Sequence, residues 1–564
     1  MGDIIGNRTL CHVLDFWAND SAQRIMLEDS RDRFSYSSVA ACARDLAAQL
    51  LSSGLAPGSR VAFIAPLACE SVIVQFGLFY AGLTALPINP AFTVEEVKRT
   101  VRQFDCACLI TSVGTGPGWR SAGMPVVLIE LDWKRTRRSA SSGSATSDIA
   151  VAATADRAAV SADLATGQAA AQPPSTASPA GDRTWLPAPD DLAIIFLTSG
   201  TTGTSKGVIY THGNLLYAAQ VAALHYGYAP TDTYLGHFPL FHMNGVVLQV
   251  SPMVLVGGRF YPVEKFSASS FHDQLKSSAA TVTHLNSTHL RILLASGPRA
   301  DEADNKLRIV PFGLSATAAE VAEFEARFGV RLVQHFGLTE SVGVVMADVL
   351  YGEERRLGSL GRPCLGYTVS IVGSDGLSVP AGVTGEITIA AASPHGLMKG
   401  YYGDPAGTEQ ALRGGWLRTG DLGHIDEDGF VWYDGREKDA IKRGGETIAP
   451  VEIELTLLGH ASVRETAVIG APDTILGEIV TAYVVVAQDR DFSEEDIIKH
   501  CRIHLASFKI PAEFIVVPEL PHNAVGKVDK KLLRNRATAT RSRPTTEEVF
   551  DDGVAGPERV RQSQ

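Results

Sequence analysis

The sequence predicts an α/β protein built as two domains of unequal size, and three observations carry the prediction. A chain of 564 residues, 45% hydrophobic and 20% charged, has an ordinary globular composition and is too long for one compact core. Short apolar runs alternate with segments of helical period through the first part of the chain, the pattern of a largely parallel sheet flanked by helices. A short charged segment, Arg436 to Lys442, then precedes a closing stretch with helices and strands of its own. The expected layout is a large N-terminal domain over 1–435, with mixed and parallel sheets flanked by helices. A linker over 436–440 leads to a small α+β domain over 441–537, followed by a polar, frayed tail over 538–564.

In chain order, Ser37 to Leu51 shows helical spacing, Arg60 to Pro66 reads as a buried strand, Glu70 to Ala81 as a helix ended by Gly82, and Thr84 to Ile88 as another strand. Cys106 to Thr111 and Pro125 to Leu131 continue the series. From about 134 to 183 the composition turns to Ala, Ser, Thr, Gly and Asp with almost no aromatic residues, a poor core builder read as a mobile surface insertion. Ile194 to Leu197 reads as a buried strand and Val330 to Val333 as another. HIDEDGFVWYDG, from His424, reads as a hairpin turning at Glu427-Asp428-Gly429. In the closing domain a helix is expected over Val451 to Leu458, strands over Val463 to Ile469 and Ile479 to Val486, and a helix over Glu494 to Leu505.

Composition excludes several functions. A formal net charge of −12 argues against a general nucleic-acid binder. Seven scattered cysteines fit a reducing cytoplasm, and the pair Cys106 and Cys108 lacks a second pair at metal spacing. The opening MGDIIGNRTL shows no basic segment leading into an apolar run, so no secretory signal is expected. Pro66, Glu70 and several glycines interrupt the longest apolar region, Val61 to Leu86, so no membrane span is expected either.

The densest chemistry lies between Phe196 and Leu215. Thr198, Ser199, Gly200, Thr201, Thr202, Gly203, Thr204 and Ser205 precede Lys206 and Gly207. Glycines let backbone N–H groups face an anion, hydroxyls add donors, and one lysine adds charge, so the stretch reads as a polyphosphate loop. It does not meet the G-x-x-x-x-G-K-[ST] pattern. His242 and Asn244 in PLFHMNG, and Asn286 in THLNSTH, are polar residues beside apolar runs that either line a pocket or are satisfied internally. Glu340 in QHFGLTES is placed to hold Mg²⁺ near phosphate, or to begin a helix after Thr339. Asp421 sits in a Thr-Gly-Asp turn, as an exposed carboxylate facing a sugar's hydroxyls or as an ordinary turn residue. Lys527, after Gly526, is an accessible loop lysine.

Together TSGTTGTSKG, FGLTE, the TGD turn, GREKDAIKRGGETI and NAVGK, in that order, closely resemble the adenylate-forming superfamily of acyl-CoA synthetases, nonribosomal adenylation domains and luciferases, from about Leu10 to Arg534. MGDIIG, PINP at Pro87 to Pro90, VEKFSA at Val263 to Ala268 and ATVT at Ala280 to Thr283 look most like crotonobetaine/carnitine-type CoA ligases. The resemblance implies that Thr198 to Lys206 enclose the ATP phosphates, and that Gly313, Leu314, Ser315, Gln334, His335, Phe336 and Gly337 line the adenine site. FGLSAT departs from the family's Gly-Gly-Ala-Pro there.

It further implies that Thr339 touches the α-phosphate, Glu340 and Thr202 hold Mg²⁺, and Asp421 and Arg436 bind the ribose. Lys527 would be the catalytic lysine, acting with Lys206, Thr339 and His242. His242, Asn244 and Asn286 would face the acid, Lys442, Gly444 and Gly445 the CoA arm, and Lys438 would be the hinge about which a mobile small domain turns. The implied function is an ATP-dependent acid–CoA ligase that forms an acyl-adenylate, releases pyrophosphate and passes the acyl group to CoA. The polar set His242, Asn244, His284, Asn286 and His289, with Ser287 where many relatives carry proline, points to a short or polar acid. Two readings stay open: an adenylation enzyme that loads a carrier-protein thiol, and a silent ligand-binding relative. PLFHMNG lacks the aspartate that amino-acid-activating domains place there. The partners expected are a small carboxylic acid and CoA or an acyl carrier protein, with a homodimer left open.

Overall fold

A computed structural model describes residues 6–112, 127–131, 151–154, 186–198, 206–313, 316–348, 355–436, 439–443, 446–473, 475–522 and 527–541. The chain divides into two compact units at Lys438/Asp439.

The first unit is built around an eight-stranded sheet. Its centre is parallel: Thr84–Pro87, Arg60–Ile64, Cys106–Ser112 and Val127–Leu131 lie side by side, with Leu192–Thr198 parallel to Thr84–Pro87. Arg60–Ile64 and Thr84–Pro87 are nearly continuous apolar runs, as strands covered on both faces must be. The helix Cys69–Tyr80 is buried at every position, Glu70 and Gln75 included. The helix Tyr36–Ser52 starts where Ser35 accepts a hydrogen bond from the Ser38 backbone N–H. Each of these elements matches its sequence expectation to within two residues.

Two further sheets carry strand ends that matter below. One runs Val282–Thr283, Thr233–Gly236, Arg259–Pro262, Ile25–Glu28, Arg33–Ser35. The other runs Leu285–Asn286, Val310–Gly313, Leu332–Phe336, Met346–Ala347, Arg362–Pro363. Leu332–Phe336 extends through Gln334, His335 and Phe336, so these three are strand residues and not the loop that follows one. The expected hairpin is present: Trp416–Ile425 pairs antiparallel with Val431–Arg436, closed by the Asp426 N–H to Phe430 carbonyl bond at 2.9 Å and by Gly429 at φ +84°.

Two expectations are corrected. Within the 134–183 segment, Val151–Thr154 forms an edge strand antiparallel to Val127–Leu131. Val-Ala-Ala-Thr, small residues with a β-branched one at each end, can pair its backbone at an edge, whatever the composition around it. The rest of that segment lies outside the described residues. The polar tail was placed from Thr538, but the last helix runs Lys530–Arg541, with the Thr538 hydroxyl bonded to the Arg534 carbonyl at 2.9 Å.

The second unit contains a five-stranded sheet in which Val463–Asp473 and Gly477–Val486 form a long hairpin. The helices Pro450–Leu458 and Glu494–His504 pack a core of Ile453, Leu457, Ile497 and Cys501 against it. All seven cysteines are buried and unpaired. Among the described residues no helix is long and apolar enough to cross a membrane.

Candidate active site

The glycine-rich stretch is flanked by two paired strands. Leu192–Thr198 and Lys206–Thr211 pair antiparallel with Thr198 opposite Lys206, and the Thr198 hydroxyl reaches the Lys206 carbonyl at 3.4 Å. Residues 199–205, which include Ser199, Gly200, Thr201, Thr202 and Gly203, lie outside the described residues, and so do Leu314 and Ser315. Gly207 fixes the strand pair, because a Cβ there would run into the Phe104 ring and stand 2.8 Å from Ile195 Cγ2. Lys206 Nζ lies 4.4 Å from the centre of the Tyr401 ring and 3.8 Å from Asp404 Oδ2, with its side chain 40% exposed. A lysine in weak surface contacts of this kind is free to turn to a phosphate.

Thr339, Glu340 and Ser341 form the next part, held by three tyrosines from three strands. Tyr210, on the Lys206 strand, donates to the Thr339 carbonyl at 2.6 Å. Tyr401 donates to Glu340 Oε1 at 2.9 Å. Tyr367 donates to the Ser341 carbonyl at 3.1 Å and to the Gly396 carbonyl at 3.0 Å. Burial and then Glu340 push the Tyr401 hydroxyl above its usual range, so it stays a donor. The turn is tight. Val342 sits at φ +57°, in the left-handed region a β-branched side chain disfavours, and a Cβ on Gly337 would run into the Gly343 carbonyl. Thr339 and Glu340 are half-buried. Glu340 therefore presents a fixed carboxylate with one oxygen engaged by a phenol, a donor set that fits Mg²⁺ completed by phosphate oxygens and water. Among the described residues no three His, Cys, Asp or Glu side chains gather to hold a metal by themselves.

Asp421 and Arg436 are directly opposite across the hairpin, with Arg436 Nε donating to Asp421 Oδ1 at 2.8 Å. Asp421 was expected as an exposed turn carboxylate. It is 1% exposed and lies inside a ten-residue strand, its backbone N–H donating to the Thr419 hydroxyl at 3.0 Å.

Gly313 and His335 are a cross-strand pair at the ends of neighbouring parallel strands, and Asn286 pairs with Gly313 on the other side. Strand ends of this kind line ligand crevices in α/β sheets. His335 Nδ1 meets the Tyr226 hydroxyl at 2.9 Å, and burial presses its pKa to about 3. Gln334 is buried, Phe336 half-buried and Gly337 exposed. Asn286 Oδ1 accepts the His289 N–H at 2.9 Å and so caps the helix Ser287–Ala295, which gives this residue an internal role. His242 is half-buried, with Nδ1 accepting from the Asn244 N–H at 3.2 Å. Asn244 opens a π-helix, Asn244–Val250, an element frequent at functional sites and one that periodicity did not disclose.

Lys442 and Lys527 are exposed residues of the second unit. Lys438, Gly444 and Gly445 lie outside the described residues. Sequence reasoning missed Tyr210, Tyr367 and Tyr401. The one available signal was Tyr401-Tyr402 after Gly400, two aromatics in a polar stretch.

The model of the AMP-binding enzyme family matches residues 14–402, and that of the AMP-binding enzyme C-terminal domain matches residues 452–527. A crotonobetaine/carnitine–CoA ligase of Citrobacter koseri is 31% identical over 541 residues, 94% of this chain and 100% of the relative. ATP-bound MatB from Rhodopseudomonas palustris superposes with a TM-score of 0.79 at 26% identity, covering 94% of this chain and 99% of that one. The o-succinylbenzoate CoA synthetase MenE of Bacillus subtilis, in complex with its acyl-adenylate intermediate, does so with a TM-score of 0.75 at 26% identity, over 94% and 98%. The match spans both units and most of their length, and the chain belongs to the family of AMP-binding enzymes.

Proposed function

We propose that this protein is an ATP-dependent acid–CoA ligase that joins a short or polar carboxylic acid to CoA by way of an acyl-adenylate. The observation that carries the reading is the placement of Lys206, Tyr401 and Glu340 side by side next to the glycine-rich stretch. A cation and a fixed carboxylate are thereby held around one aromatic ring. The relatives' names support CoA as the acceptor.

The chemical difficulty is electrostatic, because a carboxylate must attack an α-phosphate that is itself negative and charge builds on departing pyrophosphate. Lys206 meets the phosphates, and the Thr339 hydroxyl steadies the α-phosphate. Asp421 and Arg436 hold the ribose, and His242 faces the acid. Lys527, carried on the second unit, bridges carboxylate and phosphate; a donor acting chiefly in the transition state contributes roughly 3–5 kcal/mol, about two to four decades in rate. Glu340 and Thr202 would hold Mg²⁺, which when bound would supply neutralisation of the phosphate charge. For the thiol step Lys527 withdraws as the second unit turns about Lys438, and the Lys442 to Gly445 segment receives the CoA arm.

The test is pyrophosphate release and thioester formation with a panel of carboxylic acids, with CoA and a holo carrier protein as alternative acceptors. Release dependent on acid, followed by acyl-CoA, is expected. No release with any acid would sink the proposal, and thioester on the carrier alone would reassign the acceptor.

A further inference from the structure

His284, one of the polar residues expected near the acid, is left unsatisfied by the protein itself. It is 0% exposed, and neither ring nitrogen has a hydrogen-bond partner within the protein. Its neighbours repeat the pattern: His289 Nδ1 and His237 Nε2 are likewise buried without a partner. The rings form one connected group, with Phe238 4.7 Å from His284, His284 4.9 Å from His335, and His237 4.7 Å from His289 between centroids.

One of these nitrogens, His284 Nε2, shares a cradle with His335 Nε2. A Cβ on Gly313 would stand 3.4 Å from His335 Nε2 and 3.6 Å from His284 Nε2. The only residue type without a side chain thus sits where two imidazole nitrogens meet, at the strand ends that border Asn286. Buried polar atoms left unpaired are costly, and in native proteins they find water or a ligand.

The chemistry of the group restricts that ligand. After burial, the strongest influences on His284 are four other histidines, His335, His237, His289 and His242. No carboxylate is among them. Burial holds His284 and His237 well below their usual pKa, His335 at about 3 and His289 at about 4. Each ring is therefore neutral, with one N–H donor and one acceptor. Such a group matches a hydroxyl, ketone or amide. A trimethylammonium group has no N–H to offer its acceptors, so placing one there would leave those nitrogens unpaired.

We propose that the His284, His335 and Gly313 cradle selects an acid whose chain carries an uncharged hydroxyl, carbonyl or amide group, and that it disfavours a quaternary ammonium there. The proposal rests on the acid–CoA ligase reading and sets this chain apart from what the names of its relatives say of them.

The experiment measures kcat/KM for pyrophosphate release with butanoate, 4-hydroxybutanoate, 4-oxopentanoate, succinamate and 4-(trimethylammonio)butanoate on the wild-type enzyme and on His284→Leu and Gly313→Ala. The best uncharged polar acid should exceed butanoate by at least about a hundredfold, because a site built to bond a polar group rejects an analogue that lacks it. His284→Leu should narrow that ratio at least tenfold by improving butanoate, with the KM for ATP unchanged. Gly313→Ala, whose methyl would occupy the cradle, should lower kcat/KM for the polar acid more than for butanoate with the KM for ATP unchanged, and a rise in the KM for ATP without that change in acid ranking would return Gly313 and His335 to the adenine site and overturn the proposal. Equal use of butanoate, or preference for the trimethylammonium acid, would overturn the proposal while leaving the ligase reading intact. Absence of release with every acid would count against both. If His284→Leu does not fold, the wild-type acid ranking and Gly313→Ala still decide.

Discussion

Replacing Tyr401 with Phe removes one oxygen and isolates one interaction. The hydroxyl donates to Glu340 Oε1 at 2.9 Å, while the ring that lies 4.4 Å from Lys206 Nζ remains in place. A hydrogen bond to a charged group contributes about 1.5–3 kcal/mol. Tyr401 is half-buried, so water can replace part of the bond and the lower end applies, about 1.5 kcal/mol. At roughly 1.4 kcal/mol per decade that is about a tenfold loss in kcat/KM for ATP. Because the carboxylate is left unoriented, the Mg²⁺ concentration for half-maximal rate should rise, and added Mg²⁺ should recover part of the loss. Tyr401→Leu removes the ring as well, and an exposed cation–π contact is worth about 0.5–1 kcal/mol, a further two- to fivefold. The assay is pyrophosphate release at fixed acid with ATP and Mg²⁺ varied independently. If Tyr401→Phe matched wild type in both kcat/KM and Mg²⁺ response, Glu340 would not depend on its phenol partner and the positioning argument would be wrong.

Three other perturbations test separate parts of the account. Lys527→Ala should slow acid-dependent pyrophosphate exchange by about two to four decades yet still convert a supplied acyl-adenylate to thioester; exchange at the wild-type rate would contradict the lysine's role. Asp421→Asn keeps the shape and the acceptor facing Arg436 Nε but loses the charge. The KM for ATP should rise about tenfold with kcat little changed, and an unaltered KM would remove Asp421 from the ribose site. His212 and His335 are buried, with pKa values held to about 3, below the unfolded value. The folded state then binds fewer protons than the unfolded one, so their contribution is fully present above about pH 6.5. It is lost as pH falls from there toward 3, with a slope approaching about 1.4 kcal/mol per pH unit for each group, near 3 for the pair. Denaturant titrations at pH 8, 6 and 5 should show that fall, whereas equal midpoints would mean these rings are protonated in place.

What the sequence made legible was local. The helix at Tyr36–Ser52, the buried strands and the hairpin before Arg436 follow from period and turn chemistry within a dozen residues. The family motifs are short and quoted whole. What it hid was either long-range or averaged away. Tyr401 lies 61 residues from Glu340 and Tyr210 lies 129 from Thr339, and no spacing rule connects them. The Val151–Thr154 strand disappears into the composition of the segment around it. Asp421 was misjudged because Thr-Gly-Asp reads as a turn. Once the hairpin is centred on Glu427 to Gly429, however, Asp421 and Arg436 fall nearly equidistant from it and must face each other. The π-helix after His242 is an apolar run in which a helical and an extended reading are equally consistent.

The three tyrosines explain why the Thr339-Glu340-Ser341 turn can be strained and still serve as a fixed surface. Val342 at φ +57° and the Gly337 approach to Gly343 carry a conformational cost that only a surrounding structure can maintain. Tyr210, Tyr401 and Tyr367 each hold one of three successive residues from a different strand, so no single rotation can relax the turn. Tyr210 also lies on the strand that ends in Lys206, and Lys206 rests over the ring of Tyr401. Of the pair proposed above to meet phosphate and Mg²⁺, Lys206 rests against the Tyr401 ring and can still turn, whereas Glu340 is set by the Tyr401 hydroxyl before nucleotide arrives. That is the condition under which fixed charges stabilise a transition state without reorganising.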